Sequence, residues 1–484
     1  MSLTVSHVNH SRPIVKPLLS HAEAQSLQEV EQLYGPNSVL RVLTTYFRSG
    51  PGAELHVGHG QYFDFDYIVS RLLEMPGLNT TYGAQVYGGG KGMDLHDMYV
   101  STIGESIERL LGSFAVFEWH DRLRYGSYRD LERQGLTCLH PDELPIFSDA
   151  QHADPHFAFD RWQEDSYLGW IPGRRLLSGE DVYVPAQLVM FIYYRQEEEP
   201  RVGVAPSGGL ASHISDEDAI YHAVTELFER DAVNLRWHGR VPLDRIVFDV
   251  ELDDRRLRRA LQRLDANVGK PDFFYQNLDF EQFPVVTAVQ FDGWLRRLSY
   301  SAGGGVGASV EEAMRGALGE YCQSERNLRI CQLAKDWQFS RAFDSMFGIK
   351  PDARPEQFQR YVQAIAYYGY EQNVARAEWY FRGGGEIALS EIRERAGDAD
   401  PDPIPRMRSM LRGRGIDPII FDFTPPTFSH VRLWKAFAAE LSPPYPPASP
   451  ALGHPRYGTV PAASGVPGAA LDHSQLLTEP LPYP

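Results

Sequence analysis

The sequence predicts an α+β protein, with helices packed on mixed sheets and internal pseudo-symmetry. Three observations predict it. Runs rich in β-branched and aromatic residues alternate with runs of helical period. A Gly-rich or small-residue stretch, followed by a helix bearing acids three apart, occurs three times. The 484 residues are 43% hydrophobic and 23% charged, a composition that can bury a large core.

Taken in order, residues 1–60 form an N-terminal segment without a chemical signature. The first recurring unit is "YGGGKGMDLHDMYVSTIGESIERLLGSF", where Ile103, Ile107, Leu110 and Phe114 make the buried face of a helix. "DVYVPAQLVMFIYY" (181–194) reads as strand. The second unit is "PSGGLASHISDEDAIYHAVTELFERDAV". Its helix starts at Ser215, an N-cap with Asp218 three residues on, and Ile220, Val224 and Leu227 form its apolar stripe. "LDDRRLRRALQRL" predicts a charged helix and "FPVVTAVQF" a strand. The third unit, "SAGGGVGASVEEAMRGALGEYCQSERN", has an S-x-x-E capping box at Ser309 and Glu312, then Met314, Leu318 and Tyr321 at helical period. Composition changes sharply at 441, which sets 61–440 apart as the main unit and 441–484 as a tail. The tail holds 11 of the 34 prolines and is expected to be extended or loop, not helix or central strand.

A net charge of −17 argues against a fold-wide basic surface for nucleic acid. The three cysteines, Cys138, Cys322 and Cys331, form no C-x-x-C and suit neither a disulfide framework nor a cysteine zinc site. Cys322 and Cys331 fall in one helix and are expected to be buried thiols. The N-terminus lacks the apolar core of a secretory signal, and the longest apolar run is too short to span a bilayer. The expected setting is reduced and cytoplasmic.

The acids carry the chemistry. Glu105 and Glu108, like Glu226 and Glu229, are three apart, which puts each pair on one helix face. Both pairs read E-x-x-E-R, and the third copy keeps Glu320 with Gln323 in second place. A single pair is most simply a solvated face; the recurrence makes convergence on one site the sharper expectation. Like charges about 4 Å apart repel by roughly 4 kcal/mol at an effective dielectric of 20. Cations or protons must relieve that repulsion, and oxygen-only ligands favour Mg²⁺ bridged to phosphates. Arg109 and Arg230 then face phosphate or brace the carboxylates. "GGGKG", with Lys91 among its glycines, and "GGGVG" read as Gly-rich loops suited to an anion, although neither is a Walker A loop or a dinucleotide fingerprint.

From about residue 61 onward these residues resemble the YcaO family. The resemblance rests on "GKG…STIGESIER", "SGGLASH…DEDAIYHAVTELFERDA", "GGGVGASVEEAMRGALGEYCQ" and "LGHPRYG". It implies that Glu105, Glu108, Glu226 and Glu229 bind Mg²⁺ carrying the phosphates of ATP. It likewise implies ATP contacts from Lys91, Ser101, Arg109, Asp218, Arg230, Glu320, Gln323 and Arg326. Two departures stand out. Ser207-Gly208-Gly209-Leu210 replaces the family's frequent S-N-G-L, and Gln323-Ser324-Glu325-Arg326 replaces its Q-S-R.

Azoline-forming members of that family end in P-x-P-x-P, and this sequence stops on "PLPYP". A stiff polyproline rod would deliver Pro480, Pro482 and the terminal carboxylate of Pro484 to a catalytic cleft. The resemblance therefore implies ATP-dependent cyclodehydration of Cys, Ser or Thr in a ribosomally made precursor peptide to thiazoline or (methyl)oxazoline. The 60 residues before the main unit are too few for the leader-binding and E1-like module of fused members, so a separate partner protein of that kind is expected. A homodimer is implied, and a flavin dehydrogenase is a further candidate partner. The rival readings are thioamide or amidine formation by the same backbone activation, an unrelated Mg-ATP ligase, and a non-catalytic peptide-docking scaffold.

Overall fold

A computed structural model describes residues 20–30, 33, 40–46, 56–62, 88–267, 270–291, 300–333, 352–355, 358, 361–397, 402–443, 445–446 and 449–482. Among these residues the chain builds three sheets. The first is antiparallel: β1 (Leu40–Tyr46), β2 (His56–Tyr62) and β3 (Gly88–Gly92) in that order. The strands of the other two interleave along the chain. They are β4 (Arg124–Gly126), β5 (Leu168–Arg175), β6 (Asp181–Pro185), β7 (Leu210–His213), β8 (Asp244–Val247), β9 (Asp272–Tyr275), β10 (Val285–Phe291), β11 (Tyr300–Val306), β12 (Glu386–Ala388), β13 (Ile419–Asp422) and β14 (Arg432–Phe437). One sheet runs β11-β10-β9-β8-β12, antiparallel except for the parallel β8–β12 pair. The other runs β4-β5-β13-β14-β7, with β6 also on β5. The α+β class with mixed sheets is what the sequence predicts.

Each recurring unit is a strand leading into a long helix. β3 precedes α2 (Leu95–Trp119), β7 precedes α3 (Asp216–His238) and β11 precedes α5 (Val310–Leu333); α1 is His21–Val30 and α4 is Arg255–Asn267. Asp94 caps α2, and Ser215 caps α3 by accepting from the N–H of Asp218. Ser309 accepts from the N–H of Glu312, while the Glu312 carboxylate reaches back to the N–H of Ala308. The expected apolar stripes are buried, except that Phe114 is only half-buried. Cys322 is buried; the Cys331 side chain lies outside the described residues.

The helices close a ring. α2 packs on its own strand β3 and also on β7 and β14; α3 packs on β7 and β14 and also on β11 and β10; α5 packs on β11 and β10 and also on β3 and β2. Each helix thus joins its own sheet to the next, and the third returns to the first.

Three expectations are corrected. The Gly-rich segments are strands, not loops. A Cβ at Gly90 would overlap the backbone of Thr102 on α2, and one at Gly303 the backbone of α5 at Glu320–Tyr321. Glycine is needed there so that a helix can lie directly on a strand. Within 181–194 only Asp181–Pro185 is strand, because Pro185 ends the ladder and a 3-10 turn follows at Ala186–Leu188. The tail contains a helix, Arg456–Ala463. Pro455 precedes its first turn, where no N–H is required, and Pro461 packs against Gly239.

Candidate active site

A cleft of about 660 Å³ opens where the three helices meet, and Ser101, Glu105, Glu108, Arg109, Glu226, Glu229, Arg230 and Glu320 all line it. The geometry repeats around the ring. The first carboxylate of each recurring acid pair, or of its Glu320–Gln323 counterpart, accepts a backbone N–H from its own unit. Glu105 takes Gly89, Glu226 takes Gly209 at 2.8 Å, and Glu320 takes Gly304 at 3.0 Å. The residue three further on faces the next unit. Glu108 accepts from the N–H of Ser212 on β7 at 3.3 Å. Glu229 faces β11, where its Oε1 lies 2.8 Å from the place a Cβ would take at Gly304. Gln323 faces β3, its amide nitrogen 3.3 Å from the Cβ place at Gly89.

The cations interleave with the acids. Lys91 Nζ donates to Glu320 at 2.7 Å, and the Lys91 N–H donates to Ser101 Oγ at 3.3 Å. Arg109 stands 3.7 Å from Glu105 and 3.6 Å from Glu108, and Arg230 stands 3.6 Å from Glu226.

Even so, the acids are under-compensated. Burial pushes the Glu108 carboxyl up to about 8 against the pull of Arg109, with Glu226 and Glu105 adding to the rise. Burial likewise takes Glu229 up to about 7 despite Arg230, with Glu320 and Glu226 contributing. Glu105 is raised in the same way. Glu320 behaves differently: burial pushes it up, but Lys91, Arg230 and the Gly304 N–H together hold it below the usual range. Oxygen-only donors crowded into one under-compensated acidic cluster form a donor set for a hard divalent cation. Glu105 keeps 36% of its side chain exposed, so an ion can reach it. The residues present fit Mg²⁺.

Other nominated residues sit elsewhere. The Asp218 carboxylate engages Ser215 and His213 at the start of α3 and does not line the cleft. The Arg326 side chain and Pro484 lie outside the described residues. Pro480 and Pro482 are docked: the Tyr368 hydroxyl donates to the Pro480 carbonyl at 2.9 Å, and the Tyr300 hydroxyl donates to the Pro482 carbonyl. Leu481 is buried in the aromatic cluster of Trp237, Tyr300, Tyr368 and Phe381.

Sequence reasoning missed two contributors. Lys435 on β14 is buried and pushed down to about 8 by burial, with Glu226 opposing. It donates to the carbonyls of Pro206 at 2.8 Å and Gly208 at 2.6 Å, fixing the turn whose Gly209 binds Glu226. A lysine within the strand run "RLWKAF" was the available signal. The second is α1, from the segment without a chemical signature. It lines the cleft with Glu23, Ser26, Leu27 and Val30.

Comparison with known proteins bears on the family and the fold. A family model described as YcaO cyclodehydratase, ATP- and Mg²⁺-binding, matches residues 89–442. Solved structures share the fold. A heterocyclase in complex with substrate and cofactor aligns with a TM-score of 0.69 at 17% identity, over 96% of this chain and 57% of that one. YcaO from Methanopyrus kandleri, bound with AMPPCP and Mg²⁺, gives 0.55 at 17% over 87% and 91%. A chain of the E. coli microcin synthetase McbBCD complex gives 0.60 at 12% over 92% and 97%. An uncharacterized protein of Methanothermobacter thermautotrophicus is 33% identical over 114 residues, and that match spans 23% of this chain and 28% of that protein. The chain is a member of the YcaO family, whose cofactors are ATP and Mg²⁺.

Proposed function

We propose that the chain carries out ATP-dependent cyclodehydration of Cys, Ser or Thr in a ribosomally made precursor peptide, giving thiazoline or (methyl)oxazoline. The observation that best supports this reading is the convergence of Glu105, Glu108, Glu226, Glu229 and Glu320, from three helices, on one cleft, with Glu108 and Glu229 raised by burial to about 8 and about 7. Such a site binds its cations with displacement of protons, which suits a metal-bound triphosphate.

When bound, Mg·ATP supplies a γ-phosphoryl group that makes the amide oxygen a good leaving group, and the metal offsets the charge that builds there. Glu105, Glu108, Glu226 and Glu229 would hold the metal, and Glu320, bonded to Lys91, would contact ATP. Lys91, Arg109 and Arg230 offset the charge of the carboxylates they pair with and would face the phosphates. Ser101 and Gln323 offer polar contacts at the edges. In the net peptide change a bond forms from the side-chain sulfur or oxygen to the preceding carbonyl carbon, and that carbon loses its oxygen, which departs with phosphate. The side-chain and amide protons are released. Pro480, Pro482 and Pro484 are proposed as the tail segment that acts near the attacking atom. A separate leader-binding, E1-like partner presents the peptide, and the chain pairs as a homodimer. A flavin dehydrogenase is the class of enzyme that would consume the azoline.

The test is incubation with ATP, Mg²⁺, precursor peptide and partner, read by mass. A loss of about 18 Da per event is expected, and a gain of about 16 Da would assign thioamide formation instead. No ATP turnover with any partner would leave a docking scaffold as the better reading.

A further inference from the structure

The helix α1 lies outside the region matched to the family, yet it forms one wall of the glutamate cleft. Its N-terminus is closed by Ser20 and Glu23, each accepting the other's backbone N–H. At 10 residues it is too short to persist alone in water, so it stands only where it is seated.

The seat is specific. The Glu29 carboxylate accepts three consecutive backbone N–H groups, from Ser429 at 2.6 Å, His430 at 2.7 Å and Val431 at 2.8 Å, and the Ser429 hydroxyl at 3.1 Å. Ser26 Oγ donates to the His430 carbonyl. Val30 is buried in one cluster with Ile103 and Ile107, which flank Glu105 on α2. Val431 leads directly into β14, the strand that carries Lys435. A ligand held by Glu105 and Glu108 therefore occupies the cleft that α1 walls. Val100 and Ile214, which also line the cleft, are apolar and exposed.

We propose that α1 is part of the nucleotide site and that Glu29 is the positioning residue that seats it. The proposal rests on the reading of the cleft as an Mg·ATP site. Glu29 touches no reacting atom; it acts by holding Leu27 and Val30 against the cleft.

The test is Mg·AMPPCP binding to the full chain, measured by displacement of a fluorescent ATP analogue, together with amide exchange over residues 20–30. Glu29→Ala is expected to weaken binding and to speed release on the order of ten-fold, because the four charge-assisted hydrogen bonds of its carboxylate are lost. Glu29→Gln keeps an acceptor oxygen and should show about a three-fold effect. Nucleotide should slow exchange over 20–30 in the unmodified protein and not in Glu29→Ala. If Glu29→Ala does not fold, Leu27→Ala, which trims the wall and leaves the latch, should still weaken nucleotide binding. Unchanged affinity, release and exchange in these variants would overturn the proposal and leave the nucleotide site standing. Failure of the unmodified protein to bind Mg·AMPPCP would overturn the site reading itself.

Discussion

Glu229 is 7% exposed and Glu108 retains 14% of its side-chain surface, yet both belong to a cleft crowded with acids. A carboxyl whose folded pKa lies above its unfolded value near 4.5 binds its proton more tightly in the native state. The metal-free fold is thus most stable below about 4.5, as far as these two groups are concerned, and loses that stability as pH rises through about 7 and about 8. We expect the metal-free melting temperature to fall by several degrees between pH 6 and pH 8.5, and Mg·AMPPCP to restore it. A melting temperature flat across that range, with and without ligand, would contradict the raised carboxyls. Glu229→Gln follows from the same logic. Removing a buried, under-compensated charge should raise the metal-free melting temperature, while ATP turnover falls by roughly a hundredfold or more, since a ligand that acts in the transition state is lost. Calorimetry and a phosphate-release assay read the two effects separately.

At the scale of elements, the strands β3 and β11 show what a helix lying on a strand demands. Gly303 and Gly304 are neighbours on β11 with opposite surroundings. A Cβ at Gly303 would run into the α5 backbone, whereas at Gly304 it would meet the Glu229 carboxylate at 2.8 Å. Gly303→Ala should cost on the order of 3 kcal/mol or more, because the backbone cannot give way. Gly304→Ala should cost little stability, because a side-chain end can shift, and should instead weaken Mg²⁺ binding. Thermal melts and metal titration distinguish the two. This contrast also marks what the sequence could reveal. The long helices, the caps at Ser215 and Ser309 and the E-x-x-E-R acids were legible, since period and spacing are local properties. "GGGKG" and "GGGVG" looked like loops because glycine has poor strand propensity, and the reason for glycine is a helix that arrives from elsewhere in the chain. Lys435 and Glu29 were hidden for the same reason: their partners, Pro206, Gly208 and the 429–431 backbone, are more than two hundred residues distant.

For the whole molecule, the ring of helices and the docked tail meet on one strand. β11 holds Tyr300 at one end and Gly304, the donor to Glu320, near the other. Four residue steps along the strand separate them by about 13 Å. Polyproline carbonyls have no ladder partner of their own, so the hydroxyls of Tyr368 and Tyr300, two tail residues apart, set the register of Pro480–Pro482. Both phenols are buried, and Glu479 adds a carbonyl bond to Trp237 at 2.8 Å. If the tail serves the cleft, that register matters more to turnover than to nucleotide binding. Tyr300→Phe removes the donor and keeps the ring. It should cost about 1–3 kcal/mol for the carbonyl left unpaired, leave the affinity for Mg·AMPPCP unchanged, and lower kcat for peptide cyclisation at least ten-fold. Tyr368→Phe should act in the same direction but less strongly, since the carbonyl it frees lies two residues farther back. Equal kcat values for Tyr300→Phe and the unmodified protein would mean that the tail's register plays no part in the reaction. Loss of nucleotide affinity in parallel with kcat would instead place the effect in β11 and its grip on Glu320.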